Sequence, residues 1–365
     1  MSANPLQDSA RLITSSQALA ELARHIVPSS QLALDTEFLR ERTFFPELCL
    51  VQIATDSVIA AVDCLAGVPL DDFYIALTNN ETSWVLHSSR QDLEILVQSG
   101  VALPHQLIDT QVAGALLGMT PQIGYAQLVS DLMAVQLDKS HTRTDWRRRP
   151  ISPAALNYAI DDVRYLLPLW QRLEEMLTER ERLEWFREEC MALLNSFRNP
   201  DQEWPWEKIK GVRSLDQAGQ SVARTLSSWR ESQAARINRP RRWFLSDEVL
   251  VALARGRPAN EAALANGYEL SDKFRARHGA RVLELIAAGE ADATQRRPLA
   301  NVGLSPPERQ QLKLLGRAVA DRAREVGLAP EVLATRQEMT DWMRGDAPER
   351  LRQGWRSDLL ADINP

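Results

Sequence analysis

Leu32-Ala33-Leu34-Asp35-Thr36-Glu37-Phe38 is the stretch on which the reading of this chain turns. Its apolar content predicts a strand. Side chains two apart on a strand share a face, so Asp35 and Glu37 point one way while Leu34 and Phe38 point the other. Two neighbouring acids in an apolar strand repel each other and lose hydration unless a cation sits between them. A solvated strand face would produce the same text, so the pair alone does not name a site.

Working outward, residues 48–54 and 58–63 also read as strands, and the short gaps between the three predict sequential antiparallel pairing. A fourth, short strand over 84–87 leads into a helix over 92–97. From about Pro104 the pattern turns mostly helical. The expected product is an α/β domain with a mixed sheet flanked by helices. The Pro-rich stretch 199–206 reads as a linker, and beyond it strand signals vanish. Residues 213–290 read as several amphipathic helices, and a second linker over 292–307 precedes another helical block. The expected domains are 1–205, 206–295 and 296–365.

At 365 residues, 44% of them hydrophobic and 25% charged, the chain has the composition of a multidomain globular protein. Cys49, Cys64 and Cys190 are widely spaced, which fits buried thiols rather than a disulfide frame or a zinc site. The first thirty residues lack an apolar signal core, and no uncharged run approaches the roughly 20 residues of a membrane span. The expected location is the cytoplasm, with no membrane association. Residues 1–205 carry 16 Lys and Arg against 28 Asp and Glu, whereas residues 206–365 carry 27 against 21. An acidic half suits cations and a basic half suits polyanions, although charged helix faces give the same pattern.

Two further elements join the first pair. Asp92 falls in the opening turn of the helix after the fourth strand, where the helix dipole favours an acid in any case. Tyr158 and Asp162 lie four apart, hence on one face of a helix whose apolar face carries Leu156, Ile160, Val163 and Leu167. A surface Tyr–Asp hydrogen bond is the plain alternative. Asp161 lies about 100° around that helix from Asp162, so only one of the two can share the face of Tyr158.

Taken together, an Asp-x-Glu on the first of these strands, an Asp opening a helix some fifty residues later and a Tyr-x-x-x-Asp on a late helix resemble the DEDD exonuclease superfamily. Position 157 is Asn, where the histidine subclass has its His, and Tyr158 fits the tyrosine subclass. Residues 38–46, 108–113 and 139–150 are further similar to the ribonuclease D family. The resemblance implies a ribonuclease H-like exonuclease domain followed by two small all-α HRDC domains. It implies hydrolysis of RNA from a free 3′ end, with tRNA precursors as expected substrates and no obligatory protein partner. A DNA exonuclease of the same superfamily stays open, as does a non-catalytic RNA-binding scaffold, although the intact acid set speaks against the scaffold.

Phosphodiester hydrolysis needs an activated water and stabilised charge on the leaving oxygen, which two divalent ions about 3.5–4 Å apart can supply. Oxygen ligands suit Mg²⁺ or Mn²⁺. By the resemblance, Asp35, Glu37, Asp92 and Asp162 hold the ions and Tyr158 orients the attacking water. Candidate RNA contacts are Lys139, Ser140, Asp145, Trp146 and Arg149 on the loop before the Tyr158 helix, for which a structural loop with Asp145 as a turn or cap residue is the alternative. Phe44 and Phe45 could stack on bases or serve as core or lid packing.

Residues 211–291 resemble an HRDC domain in the run 243–254. Leading into that run stand Arg224, Arg230, Arg236, Arg239, Arg241 and Arg242, interleaved with Trp229 and Trp243, a combination suited to phosphate contact and base stacking. Core tryptophans beside a solvated arginine face are the alternative, and Trp243 is expected in the core.

Overall fold

The three strands read first from the text form the centre of a six-stranded sheet, ordered β1-β4-β3-β2-β5-β6. The strands are β1 (Arg11–Ile13), β2 (Gln31–Leu39), β3 (Glu47–Ala54), β4 (Ile59–Asp63), β5 (Ser83–Leu86) and β6 (Gln106–Asp109). These assignments come from a computed structural model that describes residues 11–78, 82–138, 144–198, 206–293 and 304–365. β2, β3 and β4 pair antiparallel in sequence, as expected, whereas β1, β5 and β6 run parallel to their neighbours. The sheet is therefore mixed. Two of its strands, β1 and β6, were not foreseen: the region after Pro104 opens with β6 before it turns helical.

Helices α1 (Ser16–Ile26), α2 (Asp71–Leu77), α3 (Arg90–Gln98), α4 (Thr110–Leu116), α5 (Tyr125–Met133), α6 (Pro153–Arg164), α7 (Leu166–Glu179) and α8 (Leu183–Arg198) accompany this sheet. α6 starts cleanly, because the Ser152 hydroxyl accepts from the Ala155 N–H and Pro153 occupies the first turn. Asp35 stands opposite Gln52 and Glu37 opposite Leu50 in the β2–β3 register. Ala155 and Ala159 of α6 pack on Leu50, so the helix lies over the sheet face that carries both acids. Their small side chains let the helix approach closely.

The chain divides into two compact units. The first comprises residues 1–39, 47–199 and 305–365; the second comprises 40–46 and 200–304. In the first unit, α14 (Pro306–Glu325), α15 (Pro330–Leu333), α16 (Arg336–Met343), α17 (Glu349–Arg352) and α18 (Gly354–Leu360) share an apolar core with α7 and α8. Trp355 stacks on Trp185 at 4.7 Å between ring centroids, and its indole N–H donates to Glu189 at 3.0 Å. Gly118, at φ +84°, sits where a β-carbon would collide with the Gly327 carbonyl.

The second unit is all-helical among its described residues, with α9 (Gln217–Arg236), α10 (Arg241–Phe244), α11 (Asp247–Gly256), α12 (Glu261–Ala265) and α13 (Asp272–Asp292). Leu226, Leu250, Leu253 and Val282 form its core. Trp229 packs edge-on against Phe244 at 5.1 Å. Trp243 does not join them. It is 63% exposed, which corrects the expectation of a core residue: the single turn of α10 directs Phe244 inward and its neighbour outward. No described helix is long and apolar enough to cross a membrane. The linker residues 199–205 and 294–303 lie outside the described residues.

Candidate active site

β2 is flanked by antiparallel β3 on one side and parallel β5 on the other. A cleft of about 310 Å³ opens there, lined by Asp35, Glu37, Asp92, Tyr158 and Asp162 together with Thr36, Phe38, His87, Ser88, Gln91 and Tyr125. Residues separated by more than a hundred positions meet in it. Carboxylate oxygens of Asp35, Glu37 and Asp162 come within 4.8 Å of one another.

Such a cluster is electrostatically costly. Burial, followed by the charges of Asp92, Asp162 and Glu37, raises the Asp35 carboxyl well above its usual range. Burial and the charges of Asp162 and Asp92 push Glu37 up to about 9. Burial, Asp161 and Asp92 push Asp162 up to about 7. Each group is raised by desolvation and by other acids, which is the signature of oxygen donors gathered without a counter-charge. Hard divalent cations fit this donor set, whereas the absence of His or Cys from the trio does not suit zinc.

Of the two adjacent acids on α6, Asp162 faces the cleft, while the Asp161 carboxylate accepts from the Arg164 guanidinium at 2.8 Å. The ring of Tyr158 stacks on buried Trp146 at 6.3 Å between centroids. Burial and the nearby Asp162, Glu37 and Asp35 raise the Tyr158 phenol, so it remains protonated at neutral pH.

Asp92 reaches the cleft from the first turn of α3. The approach to that helix is held by buried Asp109, whose carboxylate accepts from the Ser88 N–H at 3.0 Å, the Ser89 N–H at 2.8 Å and the Ser89 hydroxyl at 2.8 Å. Ser88 adopts φ 58°, a left-handed turn that reverses the chain between β5 and α3. Asp109 also caps α4 through the Gln111 N–H. Burial lowers the His87 imidazole; Nε2 lies 3.0 Å from the Ile123 carbonyl and Nδ1 2.9 Å from the Thr110 hydroxyl, which itself donates to the Leu86 carbonyl at 3.1 Å. Thr36, His87, Ser88 and Asp109 stand in stretches read from the sequence but carried no expected role there, and nothing in the spacing marks Tyr125.

The remaining candidates fall elsewhere. Arg149 is bound to buried Asp63, with Nε 2.7 Å and Nη2 2.5 Å from the carboxylate oxygens, and it also donates to the Trp146 carbonyl at 2.6 Å. This is the structural-loop alternative, which also holds for buried Trp146 and for Asp145, whose carboxylate accepts from the Arg147 N–H at 3.2 Å. Lys139 and Ser140 lie outside the described residues. Phe44 and Phe45 belong to the second unit, where both N–H groups donate to Asn238 Oδ1 at 3.1 Å. Arg241 lies over the Phe44 ring at 5.6 Å and pairs with Glu231 at 3.1 Å. Arg230 is buried and donates to the Leu245 carbonyl at 3.2 Å and to Asp247 at 2.5 Å, which corrects its place in the solvent-facing arginine cluster. Arg239 and exposed Trp243 line a second-unit cleft of about 960 Å³ with Arg236, Lys273, Arg277 and His278; Arg242 is exposed.

Comparison with known proteins follows the same outline. A 3′-5′ exonuclease family profile matches residues 10–178, and an HRDC domain profile matches residues 219–286. The chain is 35% identical to a ribonuclease D of Gluconacetobacter diazotrophicus over 96% of its own length and 91% of the relative's. It is 36% identical to a ribonuclease D of Xanthomonas oryzae pv. oryzae, covering 92% and 93% of the two chains. The crystal structure of Escherichia coli RNase D, described as an exoribonuclease involved in structured RNA processing, superposes with a TM-score of 0.85 at 28% identity, covering 96% of each chain. Similarity that runs nearly end to end, on a chain whose exonuclease portion gathers distant acids into one cleft, makes this protein a member of the ribonuclease D family.

Proposed function

We propose that this protein trims tRNA precursors from their free 3′ ends, using Asp35, Glu37, Asp92 and Asp162 as metal ligands and Tyr158 as the residue that orients the attacking water. It is a 3′→5′ exoribonuclease of the DEDD type. The observation that carries the site assignment is the approach of the Asp35, Glu37 and Asp162 carboxylates within 4.8 Å. These acids would hold two divalent cations, Mg²⁺ or Mn²⁺, whose charge when bound would lower the pKa of a water and offset that of the phosphate.

The chain's own groups do the rest. The protonated Tyr158 phenol, fixed by Trp146, can hold a water by hydrogen bond without acting as a base. His87, anchored at both ring nitrogens, gives the cleft a rigid wall. In the second unit, the cleft of Arg239, Arg277 and Trp243 has the chemistry to hold the RNA backbone and stack an unpaired base.

As domains we propose a catalytic domain over 1–205, a first HRDC module over 206–295 and a second over 296–365; residues 305–365 share the apolar core of the first unit. The proposed setting is the cytoplasm, with no obligatory protein partner. Incubating the full chain with end-labelled tRNA precursor, and with matched RNA and DNA oligonucleotides, tests this reading. Stepwise 3′ shortening of RNA that requires Mg²⁺ and stops with EDTA is expected. Metal-independent cleavage, or equal digestion of DNA, would overturn it.

A further inference from the structure

The four acids are not held alike. Asp35, Glu37 and Asp162 form the close trio, and Asp92 stands outside it. Instead, the Thr36 hydroxyl donates to Asp92 Oδ1 at 2.5 Å, with Thr36 5% and Asp92 7% exposed. The reason lies in the sheet. The parallel ladder between β2 and β5 runs from Gln31↔Ser83 to Ala33↔Val85 and ends there. Beyond Ala33, that side of β2 has no strand beside it. The chain leaving β5 turns at Ser88 and returns as α3, whose first turn brings Asp92 to the uncovered edge. Thr36 and Asp92 both line the cleft, and there the hydroxyl meets the carboxylate.

We infer that Thr36 is a positioning residue that fixes the Asp92 carboxylate, and that its loss weakens one divalent-cation site while sparing the other. Fixing one carboxylate oxygen fixes where the second can point, and supporting partners of this kind commonly govern ligand orientation at metal sites. The trio needs no such help, since its members come from a strand and a helix already locked by packing. The inference rests on the reading of Asp92 as a ligand.

The test follows Mn²⁺ binding to the full chain by electron paramagnetic resonance of free Mn²⁺, with melting temperature as a folding control. Thr36→Val keeps the shape and removes the hydroxyl. It is expected to weaken the looser Mn²⁺ site by about 10–100-fold and leave the tighter one unchanged. Thr36→Ser, which keeps the hydroxyl, restores binding. In an Asp92→Asn background, Thr36→Val adds no further loss. Should Thr36→Val fail to fold, Thr36→Ala against Thr36→Ser gives the same comparison. Unchanged Mn²⁺ binding in Thr36→Val, failure of Thr36→Ser to restore it, or additive losses with Asp92→Asn would overturn the inference. Unchanged binding in Asp92→Asn alone would remove the ligand reading beneath it as well.

Discussion

Glu37 illustrates what the cleft demands of a single side chain. Its carboxyl titrates near 4.5 in an unfolded chain but is pushed up to about 9 in the folded one. Between those values the folded state binds the extra proton, so its stability falls as pH rises through the window. Metal-free protein is therefore expected to lose melting temperature from about pH 5 to about pH 9, with a shallower fall in Glu37→Gln and in the presence of Mg²⁺. Scanning calorimetry over that range checks it; a slope identical in wild type and variant would contradict the charge crowding. Asp35→Asn should fold, and should lose more activity than the roughly 10–100-fold that removal of a supporting partner costs a metal site. Near-wild-type turnover on end-labelled RNA would remove Asp35 from its assigned place. Strand and helix periodicity fixed which side chains share a face, but the acids were legible as one set only through the resemblance of their order and spacing to the DEDD exonucleases. Thr36 was not, since its role depends on where a neighbouring strand stops.

At the level of elements, the antiparallel trio of β2, β3 and β4 could be read because long apolar runs separated by short gaps leave few alternatives. β1 and β6 are three and four residues long, and only pairing with a neighbour makes strands of them. Trp243 was misjudged for a related reason. Periodicity assigns large aromatics to the core, but Trp229 and Phe244 already fill that space and α10 is too short to turn both of its aromatics inward. Asp109 joins three elements, since one carboxylate holds the Ser88–Ser89 turn and the start of α4. Asp109→Ala strands those donors in a buried setting and should cost about 3 kcal/mol, measured by urea denaturation. A loss below about 1 kcal/mol would mean that the turn holds without it.

For the molecule as a whole, the proposed RNA cleft of the second unit predicts two kinds of contact, one by charge and one by an exposed aromatic. Trp243→Ala should weaken binding of single-stranded RNA by about 1–3 kcal/mol while leaving its salt dependence intact, because stacking releases no counterions. Arg277→Ala should instead lower the slope of log affinity against log salt by about 0.7. Fluorescence anisotropy at several salt concentrations distinguishes the two, and equal slopes in both variants would argue against a divided role. The acidic and basic halves were visible in composition, but the text gave no sign that 305–365 share a core with α7 and α8.

That return of the chain has a consequence during synthesis. A ribosome must complete the entire inserted helical module before the helices that cover Trp185 and Glu189 emerge. A polypeptide released early would carry all four acids yet leave that apolar surface bare, making it prone to aggregate. Complete translation is thus a condition for a well-folded nuclease.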